Sequence, residues 1–390
     1  MNTEKKLIPL LRFPEFEKDG MWGEKCFGDC LDYEQPQQYL VSSDNYKKEG
    51  TPVLTAGKTF VLGFTDESYG IYRQLPVIIF DDFTTASRYV NFPFKAKSSA
   101  MKMLQNKDGY DLKFMFEALQ NYKYEPKEHQ RHWISIFQNF KTLVPSYSEQ
   151  RKIAECLSTI DSYISSINEK VEQLKAHKKS LLQKLFPQRG QTVPDYRFSE
   201  FKELGMWTEK TLGDIGDVCM CKRIMKNETN IKYSIPFYKI GTFGKKADTY
   251  ITEEQFNEYK AKYSYPEKGD ILFSAAGTIG RYVEFDGEPA YFQDSNIVWI
   301  ANDETLVCNK FLKYLYSKVQ WNIDDGGVVK RLYNDSIKKT SIHIPSMSEQ
   351  RKIAGCLSSI DEAITLYSEK VSLIEQHKKG LMQQLFPTPK

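Results

Sequence analysis

The chain has 390 residues, 41% of them hydrophobic and 27% charged, which is ordinary for a globular protein and long enough for two or three domains with proper cores. Lys and Arg number 54 against 51 Asp and Glu, a net charge of +3, so a polyanionic partner is permitted but must be argued from local clusters. The seven cysteines and five histidines show no paired metal-type spacing, which excludes a structural zinc site from the reading, and no apolar run approaches the roughly 18 residues of a membrane span. Free cysteines without a signal peptide read as cytoplasmic.

In chain order, the first globular stretch covers residues 1–147. It carries RFPEFEKDGMWGEKCFGD from Arg12 to Asp29, TPVLTAG from Thr51, a buried-strand pattern PVIIF from Pro76 to Phe80, and a short helix pattern LKFMFEAL from Leu112 to Leu119. Residues 148–187 follow as a long helix. Its apolar positions are Ile153, Leu157, Ile160, Ile164, Ile167, Val171 and Leu174, then Leu181 and Leu185. The steps alternate four and three, with Lys178 in the one slot that breaks the series, which is a coiled-coil seam. The run stops at Phe186-Pro187, where a ring without an N–H ends a helix.

The pattern then begins again. YRFSEFKELGMWTEKTLGD from Tyr196 to Asp214 answers the first block, with Trp207 matching Trp22; IPFYKIG from Ile235 answers TPVLTAG; FSAAGTIGRYV from Phe273 answers FDDFTTASRYV from Phe80. DILFS (Asp270 to Ser274) and IVWI (Ile297 to Ile300) read as strands and KFLKYLYSKV (Lys310 to Val319) as a helix, within a second globular stretch at 188–347. The last segment, 348–390, repeats the seam as Ile353, Leu357, Ile360, Ile364, Tyr367, Val371 and Ile374, with Lys378 in the same odd slot. PSYSEQRKIAECLSTID from Pro145 returns as PSMSEQRKIAGCLSSID from Pro345. The offset between landmarks rises from 185 at the tryptophans to 193 at Phe80 and Phe273 and 200 at the prolines, so the second globular stretch carries insertions. Helices kept nearly letter for letter, joined to modules that diverge, require a function that needs two of something.

Motifs for catalysis fail. AGKT (Ala56 to Thr59) needs a glycine where Pro52 stands, and proline has no N–H to wrap a phosphate. NFPF from Asn91 lacks the first proline of an amino-methyltransferase signature and has no Gly-rich S-adenosylmethionine loop beside it; GTIG (Gly277 to Gly280) is a tight turn. The chain reads as a binder, not an enzyme. Its candidate nucleic-acid-binding residues are Arg88, Lys95, Lys97 and Arg131 in the first module, with Lys102 nearby. In the second they are Lys222, Arg223, Lys245, Arg281, Lys330 and Arg331, with Lys226 and Lys246. Arg88 and Arg281 share an RYV, and Arg131 and Arg331 are each followed two places on by an aromatic, Trp133 and Tyr333. Such cations suit phosphates, and arginine can also read base edges.

The S-E-Q-R-K-I-A phrase, the L-x-x-I-D after it, the closing K-x-L-x-Q-x-L-F-P and the stretch GDILFSAAGTIGR together make the whole chain resemble the specificity subunits of type I restriction–modification enzymes. The first module departs in having QLPVIIFDDFTTASR from Gln74 to Arg88. The resemblance implies an α+β fold with two target-recognition domains alternating with two long helices that pair as an antiparallel coiled coil. It implies a bipartite target in double-stranded DNA and no cofactor in this chain. Its implied partners are two modification subunits carrying S-adenosylmethionine and up to two restriction subunits using ATP and Mg. Connectivity agrees, because antiparallel helices bring the end of the first helix to the start of the second module without a long linker. The rival reading is a coiled-coil scaffold joining two protein- or glycan-binding modules, which would lack the steep salt dependence of a DNA binder.

Overall fold

The computed structural model describes residues 7–57, 59–122, 124, 131–321 and 331–387. It resolves into two compact units, residues 1–169 with 368–390, and residues 170–367. Each unit therefore holds one globular module, the opening part of the long helix that follows it, and the closing part of the other long helix. The reason is local. The end of each long helix carries a Leu-Phe pair that is buried in a module core, Leu385 and Phe386 in the first unit and Leu185 and Phe186 in the second.

In the first unit, β2 (Leu31–Glu34), β8 (Met101–Asn106), β5 (Val77–Asp81) and β6 (Ser87–Val90) form an antiparallel sheet in that order. A smaller sheet places β3 (Thr51–Leu54) between antiparallel β4 (Val61–Thr65) and parallel β7 (Lys95–Ala96), and β1 (Gly23–Cys26) pairs with β9 (Lys141–Val144) just ahead of the helix. The second unit repeats this topology strand for strand. β11 (Gly216–Cys219), β17 (Ile297–Asn302), β14 (Ile271–Ser274) and β15 (Tyr282–Glu284) make its larger sheet. β13 (Tyr250–Ile251), β12 (Ile235–Tyr238) and β16 (Tyr291–Phe292) make the smaller one, and β10 (Thr208–Thr211) pairs with β18 (Ser341–Ile344). The strands read from PVIIF, DILFS and IVWI are the central β5, β14 and β17, buried on both faces as their unbroken apolar runs require. The largest rise in offset, ahead of Phe273, comes with an added helix, Glu253–Lys262, between β13 and β14. The helix read from Lys310 to Val319 closes earlier, at Asn309–Leu315, in a turn through Lys318.

The long helices run Tyr147–Lys184 and Met347–Leu385. All fourteen seam residues are buried or half-buried, with Ile153, Leu157, Ile167, Val171, Ile353, Leu357 and Val371 the buried ones. The first turns of each seam serve the module rather than the helix pair alone: Ile153 and Leu157 share a core with Trp22 and Phe114, Ile353 and Leu357 with Trp207 and Phe311. Pairing is antiparallel in each unit, since the end of one helix lies beside the start of the other. In the first, Lys378 Nζ lies 2.6 Å from Asp161; in the second, Lys178 Nζ lies 2.5 Å from Asp361. The residue that breaks the seam thus meets the aspartate of the L-x-x-I-D phrase on the partner helix. A charge at a seam position fixes register.

The repeated S-E-Q-R-K phrase fastens module to helix. Glu149 accepts from Nε and Nη2 of the Arg12 guanidinium, at 2.8 and 2.7 Å, and Glu349 accepts from the same atoms of Arg197 at the same distances. Both carboxylates are buried. Gln150 accepts the Asp111 N–H and Gln350 the Cys308 N–H, each at the start of the module's helix. Lys152 pairs with Glu15 and Lys352 with Glu200. Trp22, Phe114 and Phe386 cluster in one unit as Trp207, Phe311 and Phe186 do in the other. The phrase is written twice because the same joint is built twice.

Candidate nucleic-acid interface

In the first module the predicted cations do not form a free basic surface. Lys95 is fully buried on β7, with its ammonium 2.6 Å from Glu67, 2.9 Å from the Tyr69 carbonyl and over the Tyr69 ring. That bond holds the Glu67 carboxyl below its usual range. Lys102 is equally buried against Asp82. Neither has a charge to offer a phosphate, which corrects the sequence reading: β7 and the first four residues of β8 are buried on both faces, where a lysine persists only with a partner. Lys97 is half-buried and bonded to Asp44, which with Tyr46 pushes its pKa up. Arg88 is exposed on β6, its guanidinium over the Phe60 ring at 5.7 Å. Arg131 is exposed too, but Trp133, two places on, is core against Phe80 and no stacking platform.

The second module brings its residues together more. Arg223 and Arg331, 108 positions apart in sequence, line one open cleft of about 650 Å³ with Lys226, Lys239, Asp294 and Asn296. Arg331 is half-buried; its Nη2 donates to the Ser295 carbonyl at 3.0 Å and to Asn296 Oδ1 at 2.9 Å. Arg223 is two-thirds exposed and pairs with Asp294 at 2.8 Å. Lys239 is held by Asp248, whose carboxyl sits below its ordinary value because of Thr249 first and Lys239 second. Ser295 holds a φ of 57°, the left-handed region that residues other than glycine seldom take, so the Gln293–Asn296 turn is bent to present its side chains.

The remaining predicted residues lie elsewhere. Lys222 is exposed, with Nζ over the Tyr263 ring at 5.1 Å. Lys245 lines a different, small depression together with Glu284, Asp286 and Glu288. Arg281 is turned inward, donating to the Ile240 carbonyl at 2.7 Å over the Phe243 ring, with Nε buried and unbonded, so it braces a turn and is not presented for a base contact. Lys330 lies outside the described residues. Asn296, Asp294 and Lys239 escaped the sequence reading; for the first two the signal was the polar run QDSN after β16, a turn rich in amide and carboxylate directly after an aromatic strand. Among the described residues no group of His, Cys, Asp or Glu could hold a metal ion, and no helix is long and apolar enough to cross a membrane.

Two repeated α+β modules, each with exposed cations and each joined to the start of one long helix and the end of the other, have the architecture of a two-headed binding protein. Comparison with known proteins says which. Residues 205–376 match the type I restriction modification DNA specificity domain. Over 394 aligned positions the chain is 30% identical to the type I restriction enzyme EcoR124I/EcoR124II specificity subunit of Escherichia coli, covering 93% of each. A stretch of 169 residues is 59% identical to a putative type I restriction enzyme specificity subunit of Haemophilus influenzae; it spans 43% of this chain and less than half, 44%, of that relative. The fold is shared with the crystal structure of the type I restriction–modification S subunit from M. genitalium, at a TM-score of 0.66 and 17% identity over 98% of this chain and 100% of that one. The chain belongs to the type I restriction enzyme specificity subunits. These are DNA-recognition subunits that are not themselves catalytic.

Proposed function

We propose that this chain reads a bipartite target in double-stranded DNA, one half with each module, and directs adenine methylation and restriction by partner subunits in the cytoplasm as a phage defence. The reading brings two modification subunits carrying S-adenosylmethionine, and up to two restriction subunits using ATP and Mg, onto a chain that supplies no chemistry of its own. What supports it is the duplication at the level of single contacts. The Arg12–Glu149 and Arg197–Glu349 joints and the Lys378–Asp161 and Lys178–Asp361 pairs are built alike, while the exposed faces of the modules differ. Like joints suit two identical partner subunits. Unlike faces suit two different half-sites.

The test is methylation mapping of host DNA with and without the gene, joined to duplex binding across a salt series. The reading expects one two-part methylated motif that disappears with the gene, and an affinity that falls steeply with salt. No gene-dependent motif together with a flat salt response would leave the scaffold reading standing instead.

A further inference from the structure

Resting on the DNA-binding reading above, we infer that Arg331 and Asn296 form a fork that reads a guanine in the major groove, so that the half-site of the second module contains an obligatory G. The argument is one of donors and acceptors. A free asparagine side chain reads adenine, because its amide offers one acceptor to N6–H and one donor to N7. Here Asn296 Oδ1 is already taken by Arg331 Nη2 at 2.9 Å. The amide orientation is fixed chemically, since a guanidinium has only donors and must face the oxygen. What Asn296 keeps is its Nδ2 donors. Arg331 spends Nη2 on Oδ1 and on the Ser295 carbonyl, and keeps Nη1 and Nε, which have no partner among the described residues.

Both residues line the same cleft. The fork therefore shows donors alone. Of the four bases only guanine shows two adjacent acceptors, O6 and N7, with no donor between them in the major groove, whereas adenine's N6–H would meet another donor. The strained Ser295 makes the fork possible, because the left-handed residue turns its carbonyl and the next amide toward one guanidinium. Asp294 is not part of the fork: its Oδ2 accepts from Arg223 at 2.8 Å and from the Ser295 hydroxyl at 3.3 Å, and the Arg223 guanidinium balances its charge. Arg223, exposed at the rim beside Lys226, is left for phosphate contacts.

The test uses the chain assembled with its modification subunits and the motif obtained by methylation mapping, with the half belonging to the second module assigned by exchanging modules. Duplexes carrying 7-deazaguanine at each G of that half are compared with the parent. The fork predicts one position where loss of N7 weakens binding about 5- to 150-fold, and Arg331→Ala abolishes that penalty while leaving the salt slope nearly unchanged. Asn296→Asp, which keeps an acceptor for Arg331 but replaces the donors with a negative charge, should lose the G preference and move toward C. It also serves where Arg331→Ala does not fold. A half-site without G, or an N7 penalty that persists in Arg331→Ala or Asn296→Asp, overturns the fork while leaving the DNA reading intact. An absence of any sequence-dependent binding by the parent complex defeats the DNA reading itself.

Discussion

Replacing Lys378 with leucine fills the broken slot of the seam with an apolar residue, and on pattern alone it should stabilise the helix pair. The structure says the opposite. Lys378 contacts Asp161 at 2.6 Å and Glu117 at 3.2 Å, and Lys113 contacts the same two carboxylates at 2.7 and 2.6 Å. Two cations balance two anions around a Glu117 side chain that is 1% exposed. Lys378→Leu leaves one lysine for both. Breaking a fully buried pair costs about 3–5 kcal/mol; Asp161 keeps 37% of its side chain in water, so the expected loss is about 2–3 kcal/mol. The equivalent Lys178→Leu is a built-in control. Asp361 retains the Tyr314 hydroxyl at 2.8 Å and, among the described residues, faces no second buried carboxylate, so that change should stay within about 1 kcal/mol. Thermal unfolding of the two variants reads the difference, roughly 4–12 °C lower for the unit carrying Lys378→Leu. Glu117→Gln in that background should recover at least half of the loss. Equal shifts for the two leucine variants, or a larger one at 178, would refute the charge-balance argument.

The pH dependence follows from the same cluster. Burial raises the Asp161 carboxyl, but hydrogen bonds from Lys113 and Lys378 outweigh it and hold the group below its ordinary value. A depressed carboxylate stabilises the fold above its unfolded value of about 4 and ceases to do so as pH falls through the folded value, so Asp161→Asn should flatten the loss of stability below about pH 4 in denaturant titrations. Glu349→Ala should cost about 3–5 kcal/mol by stranding the Arg197 guanidinium, measured by urea unfolding, with Glu349→Gln milder. Lys95→Met should destabilise the first module by about 1–3 kcal/mol yet leave the salt slope of DNA binding unchanged, whereas Arg223→Gln should lower that slope by about 0.9 with the fold intact.

What could be read from sequence, and what could not, divides along physical lines. The seam, the central strands β5, β14 and β17 and the repeat itself were legible because periodicity and unbroken apolar runs are local signals. That β1 to β9 and β10 to β18 share one topology was legible only at scattered landmarks, since a sheet tolerates almost complete exchange of side chains when the burial pattern is kept. The cations were the weak point. Lys95, Arg223 and Arg281 look alike in sequence, but one is buried against Glu67, one is exposed, and one braces a turn. Their difference lies in long-range partners that no local pattern reveals. Arg331 gains its meaning from Asn296, 35 positions away.

The central claim is that the two modules read their half-sites independently, and exchanging one module tests it most directly. Residues 30–144 would be replaced by the corresponding stretch of another specificity subunit, keeping Arg12, Trp22, Glu149 and both long helices, so that the Arg12–Glu149 and Trp22–Glu149 contacts of the module–helix joint survive. Methylation mapping in a host expressing the hybrid with its partner subunits then reports the motif. The account predicts that one half of the motif changes and the other half is retained. A motif altered in both halves, or one left wholly unaltered, would contradict it.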